Sequence, residues 1–168
     1  MFDELFNETQ MQELQKLLRQ HKKTITCAES CTGGLVASLI TELSGSSDIF
    51  NGSIVSYSNE IKMQELNVEK NDLEKFGAVS EEVVSQMLDG ALSKFKANYA
   101  IAVSGIAGPS GGTLKKPVGT VIIGIASANA HKMVVTYQFK GDRKEVQMQA
   151  AKTSFCNLLN FLRKDLTK

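Results

Sequence analysis

Thr24-Ile-Thr-Cys-Ala-Glu-Ser-Cys-Thr-Gly-Gly34 is the stretch whose reading decides the fold. Thr24–Ala28 is a short apolar and β-branched run that reads as a strand. Directly after the polar turn, Leu35, Val36, Leu39, Ile40 and Leu43 recur at steps of three and four, which predicts an amphipathic helix over Cys31–Leu43. In the turn, Ser30 and Thr32 are positioned to cap that helix, and Gly33 and Gly34 clear side chains from its first turn. Free N–H groups and the positive end of a helix dipole would then meet the Ser30 hydroxyl. Such a place suits an anion, an oxyanion or a nucleophile.

The rest of the 168 residues continues the alternation of helix and strand. Thr9–Gln20 reads as a helix with a Thr9/Gln12 capping box and a Met11/Leu14/Leu17/Leu18 stripe. Gly45–Asp48 is a turn, Gly52–Tyr57 a second strand, and a short helix follows from Ser58 or Asn59 to Leu66. A polar connector leads to Ser80, which caps a helix through Phe95 with Glu81 and Glu82 in its first turn. Tyr99–Ser104 is apolar throughout, as suits a central strand covered on both faces. A turn-rich loop over Gly105–Pro117 precedes strands at Val118–Ser127 and Met133–Phe139. Asp142 and Glu145 form a capping box for a last apolar helix. The reading is one α/β domain, a three-layer α/β/α sandwich.

Composition narrows the function classes. Hydrophobic residues make up 42% and charged residues 22%, which reads as a globular chain. A net charge of +1, from 19 basic and 18 acidic residues, leaves no footprint of nucleic-acid binding. No apolar run approaches the ~20 residues of a membrane span, and the acidic start Met1–Glu8 lacks a signal-peptide pattern. Cys27 and Cys31 have no further Cys or His beside them to complete a metal site and read as small packing residues. His21 and His131 fall at element edges. A reduced, cytoplasmic protein without a metal or cofactor is the expectation.

Topology then gathers the polar residues. Ligands of open α/β sheets sit beyond the carboxyl ends of the parallel strands. The first strand delivers Glu29 and Ser30 there, and a parallel second strand delivers Tyr57, Ser58, Asn59 and Lys62. The central strand delivers Ser104 and the glycine loop, an antiparallel fourth strand begins there at Gly119 and Thr120, and the fifth ends there at Gly141–Arg143. With no histidine or carboxylate pair on this rim, serine, lysine, tyrosine and arginine remain. Serine needs a base, and a lysine can serve once burial and nearby positive charge, here from Arg143, lower its pKa. Lys62 is the lysine at the rim, with Tyr57 to hold or relay its proton, and the amides of Ser30–Gly33 could form an oxyanion hole. On these grounds a Ser/Lys catalytic site and a non-catalytic anion-binding rim both stay open. Each residue also has an ordinary reading: Ser30 as a helix cap, Lys62 as a solvated helix lysine, Ser104 and Thr120 as strand-end hydroxyls. Glu29 either pairs with a cation or orients the turn.

The segments Ala28–Gly34, Val55-Ser-Tyr-Ser-Asn-Glu-x-Lys62, Gly77–Ser80, Ser104–Pro109, Lys116–Thr120 and Gly141–Arg143 resemble the CinA C-terminal domain family. Its characterised members are nicotinamide-nucleotide amidohydrolases, and the resemblance covers about Met11–Leu162. It implies a five-stranded mixed sheet of order 2-1-3-4-5 with strand 4 antiparallel, in a single domain with its core at about 9–164. It implies hydrolysis of the carboxamide of nicotinamide mononucleotide (NMN) to nicotinate mononucleotide and ammonia by a metal-independent Ser/Lys dyad, with no cofactor. Carried over by motif, the lysine is Lys62 with Tyr57 beside it, and the serine is Ser30 or Ser47. Substrate would be held by Thr32, Gly33, Gly34, Ser104, Gly105, Gly108, Thr120 and Arg143, the last gripping the phosphate. Topology favours Ser30, because Ser47 should lie at the opposite edge of the sheet. The alternative function is a nucleotide-binding or regulatory module without turnover. A longer family form carries an additional N-terminal domain resembling molybdopterin-binding proteins; this chain is expected to be the stand-alone form. The expected partners are a pyridine nucleotide and a second copy of the chain, through the apolar last helix, with no nucleic acid and no membrane.

Overall fold

A computed structural model describes residues 3–167; Met1, Phe2 and Lys168, and with them the first two residues of the acidic amino-terminal segment, lie outside the described residues. Five strands form one sheet in the order β2-β1-β3-β4-β5. They are β1 (Ile25–Glu29), β2 (Ile54–Val55), β3 (Tyr99–Gly105), β4 (Thr120–Ser127) and β5 (Lys132–Gln138). β2 and β3 flank β1 in parallel, β4 runs antiparallel to β3, and β5 runs antiparallel to β4. The expected order and the reversed fourth strand are both present.

Alternation along β3 divides the core between the two faces of the sheet. Ile101 and Val103 pack with Ile25, Cys27 and Ile123 beneath helices α1 (Glu8–Gln20), α2 (Leu35–Thr41) and α6 (Arg143–Leu166). Ala100 and Ala102 face the other way, with Ala28 and Ile122, against α3 (Asn59–Leu66), α4 (Lys70–Phe76) and α5 (Glu81–Phe95). This second face is lined by small residues because α5 lies close to it. A Cβ on Gly124 would sit 2.6 Å from Leu88 Cδ1 and 2.9 Å from Val84 Cγ1.

The structure departs from the sequence reading in five places. α1 starts at Glu8 under an Asn7/Gln10 capping box, because Asn is the better N-cap than Thr9 and comes first in the chain. α2 is shorter than Cys31–Leu43, and residues 31–34 form turns ahead of it. β2 pairs only through Ile54 and Val55, with one bridge from Phe50 to Ile25, as befits a short, exposed sheet edge. The expected polar connector contains α4, whose only buried residue, Leu73, is too little to mark a helical stripe. The apolar side of α6 (Val146, Ala150, Phe155, Leu158, Leu162) packs into the core, so it is not available as the expected interface face. No helix among the described residues is long and apolar enough to cross a membrane.

Candidate active site

β1 ends on Glu29, and the chain turns sharply at Ser30, whose N–H donates to Val103 O of β3 at 2.9 Å. The turn winds around the Glu29 carboxylate, which has 0% exposure. That carboxylate accepts from Thr32 Oγ1 at 2.6 Å and from the amides of Gly34 (3.2 Å), Val36 (2.8 Å) and Ala37 (3.0 Å). Glu29, rather than Ser30 or Thr32, therefore caps α2, and the N-cap position is held by Gly34 with no side-chain cap of its own. The open anion site expected at this helix start is filled by the protein's own carboxylate, an N-terminal arrangement favoured by the helix dipole. Thr32, Gly33 and Gly34 consequently build the turn and are absent from the lining of the cleft. Ser30, released from capping, points its hydroxyl elsewhere.

Its partner is Lys62. Helix α3 begins at Asn59 beneath a Ser58 cap, and Lys62 sits one turn in, facing the sheet. Lys62 Nζ donates to Ser30 Oγ at 3.0 Å, to Ser56 O at 2.7 Å and to Tyr57 O at 3.4 Å. The side chain has 0% exposure, which rules out a solvated helix lysine. Burial disfavours the ammonium and lowers the Lys62 pKa to about 8, while the Cys31 thiol nearby acts weakly the other way. Of the two expected sources of this shift, burial and positive charge from Arg143, burial is the one that acts.

Tyr57 differs from its expected role as well. Its backbone carbonyl, not its phenol, touches Lys62. The ring is 58% exposed at the cleft mouth, and the phenol oxygen accepts from Arg143 Nη2 at 2.8 Å. Arg143, in the first turn of α6, also donates through Nη1 to Gly108 O at 2.8 Å. It thereby ties the β2–α3 connection to the loop after β3 across the opening.

These elements enclose a cleft of about 330 Å³. Ser30, Tyr57, Asn59, Lys62, Ser104, Gly105, Gly108 and Arg143 all line it, as do Cys31, Ala78, Val79 and Ser110, whose side chains the sequence reading gave no part in a site. Ser110 lies outside the quoted segments, and Ala78 and Val79 belong to a quoted segment whose chemistry is silent. Ser104 Oγ is committed to Ala78 O at 2.8 Å, holding the α4–α5 connection against β3. Gly105 forms the cleft floor where β3 crosses β4; a Cβ there would lie 2.7 Å from Val121 Cγ2 and 2.8 Å from Thr120 O. Cys31 is buried and its thiol is pushed up to about 12, chiefly by desolvation, which keeps it protonated and inert beside Ser30.

Besides Thr32, Gly33 and Gly34, two more candidate residues stand apart, Thr120 and Ser47. Thr120 donates to Pro117 O at 2.6 Å and Gln138 Oε1 at 2.9 Å, and lines a separate depression beside Lys116 and Thr136. Along β4 it shares the α5 side with Ile122, whereas the cleft lies by Val121 and Gly105. Ser47 is exposed in the 3-10 turn Ser46–Asp48 that precedes β2. Phe50 bridges Ile25 at the start of β1, so within one chain Ser47 and Ser30 flank opposite ends of a five-residue strand. At about 3.3 Å per residue that separation is roughly 15 Å.

Of the turn amides, Ser30 N–H is taken by Val103 O, Gly33 N–H by Ser30 O at 3.0 Å, and Gly34 N–H by Glu29. Of the remaining residues only Cys31 lines the cleft, so the expected oxyanion hole of Ser30–Gly33 narrows to the Cys31 amide. Among the described residues, no group of three or more His, Cys, Asp or Glu is placed to hold a metal ion. The arrangement is a buried lysine of lowered pKa bonded to a serine hydroxyl, with an arginine at the mouth: the parts of a nucleophile and its base.

The model of the CinA C-terminal domain matches residues 7–162. The chain belongs to that family. A CinA-like protein of Prochlorococcus marinus (strain MIT 9515) is 47% identical over 157 residues, covering 94% of this chain and 36% of the relative. A CinA-like protein of Fervidobacterium nodosum is 49% identical over 140 residues, covering 83% and 34%. The chain thus spans about a third of the length of these curated relatives. A CinA superfamily protein from Klebsiella pneumoniae superimposes with a TM-score of 0.88 at 31% identity, covering 93% of this chain and 97% of the other. A competence/damage inducible protein from Agrobacterium tumefaciens gives 0.85 at 35% identity, covering 95% and 98%. The CinA fold and the cleft segments Ala28–Gly34, Val55–Lys62, Ser104–Pro109 and Gly141–Arg143 all fall inside the matched range.

Proposed function

We propose that this CinA-family chain is a metal-independent amidohydrolase that converts NMN to nicotinate mononucleotide and ammonia. The observation that carries the reading is the 3.0 Å contact between Ser30 Oγ and a fully buried Lys62 whose pKa is about 8. A lysine in that range is partly neutral near physiological pH and able to accept a proton.

Neutral Lys62 takes the Ser30 proton as Oγ attacks the carboxamide carbon, forming a C–O bond and placing negative charge on the former carbonyl oxygen. The Cys31 amide, at the cleft beside Ser30, receives that oxyanion. Lys62 then delivers its proton to the departing nitrogen, the C–N bond breaks, and ammonia leaves an acyl ester on Ser30. A water enters, gives its proton to Lys62 and attacks the ester carbon. Collapse releases the carboxylate product and returns the proton to Ser30. The Ser56 and Tyr57 carbonyls steady the ammonium during both steps. Arg143, exposed at the mouth, takes the substrate phosphate in a charge-assisted contact, exchanging its neutral acceptors Tyr57 and Gly108 for an anion.

The test is release of ammonia and nicotinate mononucleotide from NMN by wild type, Ser30→Ala, Lys62→Met and Ser47→Ala proteins. The first two variants should lose turnover while remaining folded, and Ser47→Ala should keep it. Binding of NMN without any ammonia release by the wild type would favour the regulatory module instead. Loss of acylation in Ser47→Ala, with Ser30→Ala active, would transfer the nucleophile to Ser47 and require a second subunit.

A further inference from the structure

We infer that Asn59 is a specificity-determining residue whose side-chain amide reads the ribose diol of the mononucleotide, an inference that rests on the reading above. Most polar side chains that line the cleft are already committed to a neighbour. Lys62 donates to Ser30, Arg143 donates to the Tyr57 phenol, and Ser104 donates to Ala78 O. Asn59 and Ser110 also line the cleft, and their side chains have no hydrogen-bond partner among the described residues. Ser110 lies two residues beyond Gly108, whose carbonyl holds Arg143, and so belongs to the loop on the arginine's side. Asn59 belongs to the other wall, as the first residue of α3. Asparagine at a helix start is ordinarily spent on capping. Here Ser58 is the N-cap and its Oγ accepts from Ile61 N–H, which leaves the Asn59 amide free for a ligand.

Its place in the cleft follows from the helix. Asn59 and Lys62 are three residues apart and share one face, with Cβ atoms about 5–6 Å apart. Lys62 has 0% exposure and reaches Ser30, whereas Asn59 is exposed and the Tyr57 ring stands at the mouth beside Arg143. One wall of the cleft therefore runs from Lys62 through Asn59 to Tyr57, from the reacting serine outward. A mononucleotide with its carboxamide at Ser30 and its phosphate at Arg143 has its sugar between the two, alongside Asn59. A primary amide offers two N–H donors and a carbonyl acceptor, which complements two neighbouring hydroxyls that each donate and accept.

The experiment measures kcat and KM for ammonia release from NMN and from its 2′,3′-dideoxy analogue, in wild type and Asn59→Ala. Alanine removes no contact of the fold and is the better helix former, so the variant folds. In the wild type, the analogue should lose about tenfold in kcat/KM, the effect of one or two neutral hydrogen bonds. Asn59→Ala should lose about tenfold on NMN through KM, with kcat within about twofold and the pH limb near 8 unmoved. The two substrates should then differ by less than about threefold in the variant, because the amide and the diol act as one pair. Discrimination that is absent in the wild type, or that stays at about threefold or more in the variant, overturns the inference. So does a loss carried by kcat or a shifted pH limb, either of which would mean that Asn59 acts through Lys62. A wild type that releases no ammonia overturns the amidohydrolase reading alone. Calorimetric Kd values for the same four pairs then decide Asn59 by the same criterion.

Discussion

Replacing Glu29 with alanine should destabilise the fold severely, and the magnitude follows from the contacts of one carboxylate. It is fully buried and accepts from Thr32 Oγ1, from the amides of Gly34, Val36 and Ala37, and weakly from the Cys27 thiol at 3.8 Å. Thr32 and Val36 are themselves buried, so removal of the carboxylate strands two donors away from water. At about 1–3 kcal/mol for each buried group left unsatisfied, the loss is about 2–6 kcal/mol. Loss of the helix-start charge adds about 0.3–1 kcal/mol. Set against total stabilities of about 5–15 kcal/mol, that is a large fraction. Glu29→Gln keeps one acceptor and turns an NH2 group toward an amide donor, so it should cost about 1–3 kcal/mol. Urea unfolding followed by far-UV circular dichroism reads both; a loss of 3 kcal/mol moves the midpoint by about 1–3 M at unchanged slope. An alanine variant within about 0.5 kcal/mol of wild type would refute the reasoning, because the carboxylate would then contribute no net stability.

Lys62 gives a pH signature with a defined sign. Its folded pKa of about 8 lies below the ordinary 10.5, so between those values the unfolded chain binds more protons, and stability relative to Lys62→Met should rise by on the order of 3 kcal/mol. That gain is complete above pH 10.5 and lost as pH falls through 8, and chemical denaturation at stepped pH measures it. The same titration predicts a rising kcat/KM with an apparent pKa near 8 in the wild type, with Lys62→Arg inactive at every pH because arginine stays charged. Tyr57→Phe removes the phenol that accepts from Arg143 but leaves the backbone carbonyl on Lys62, so KM for a phosphorylated substrate should change while the pH limb stays in place. Gly105→Ala should lose about 1–3 kcal/mol in denaturant titration, because its Cβ meets Thr120 O and Val121 Cγ2 at under 3 Å.

Much of the sheet was legible in sequence because periodicity and turn chemistry agree. The apolar run Tyr99–Ser104, the Ser80 and Asp142 caps and the glycine-rich loop each point to one structure. The rim follows from strand direction alone, and strand direction suffices to place Ser30 and Lys62 at one end of the sheet. Of the two readings of Glu29 the structure has the one that orients the turn; its capping of α2 escaped because the carboxylate reaches amides up to eight residues ahead, beyond the three-residue spacing by which capping boxes are recognised. Direction of side chains was the other gap. Thr120 reaches the expected edge but faces α5, and the Tyr57 phenol turns to the mouth while its carbonyl turns inward. Ala78, Val79 and Ser110 line the cleft through its shape, which no residue type announces.

The placement of β1 between β2 and β3 has a kinetic consequence. Ser30 is fixed to Val103, which comes after α5, and Lys62 follows a parallel crossover that leaves it 32 positions from Ser30. Neither contact can form from local helices, so the pair assembles only after two non-local parallel strand pairings have closed, each of which is slow by virtue of its loop entropy. On refolding from urea, helical signal should therefore return first, with the lowered lysine pKa and any turnover appearing together in a later phase.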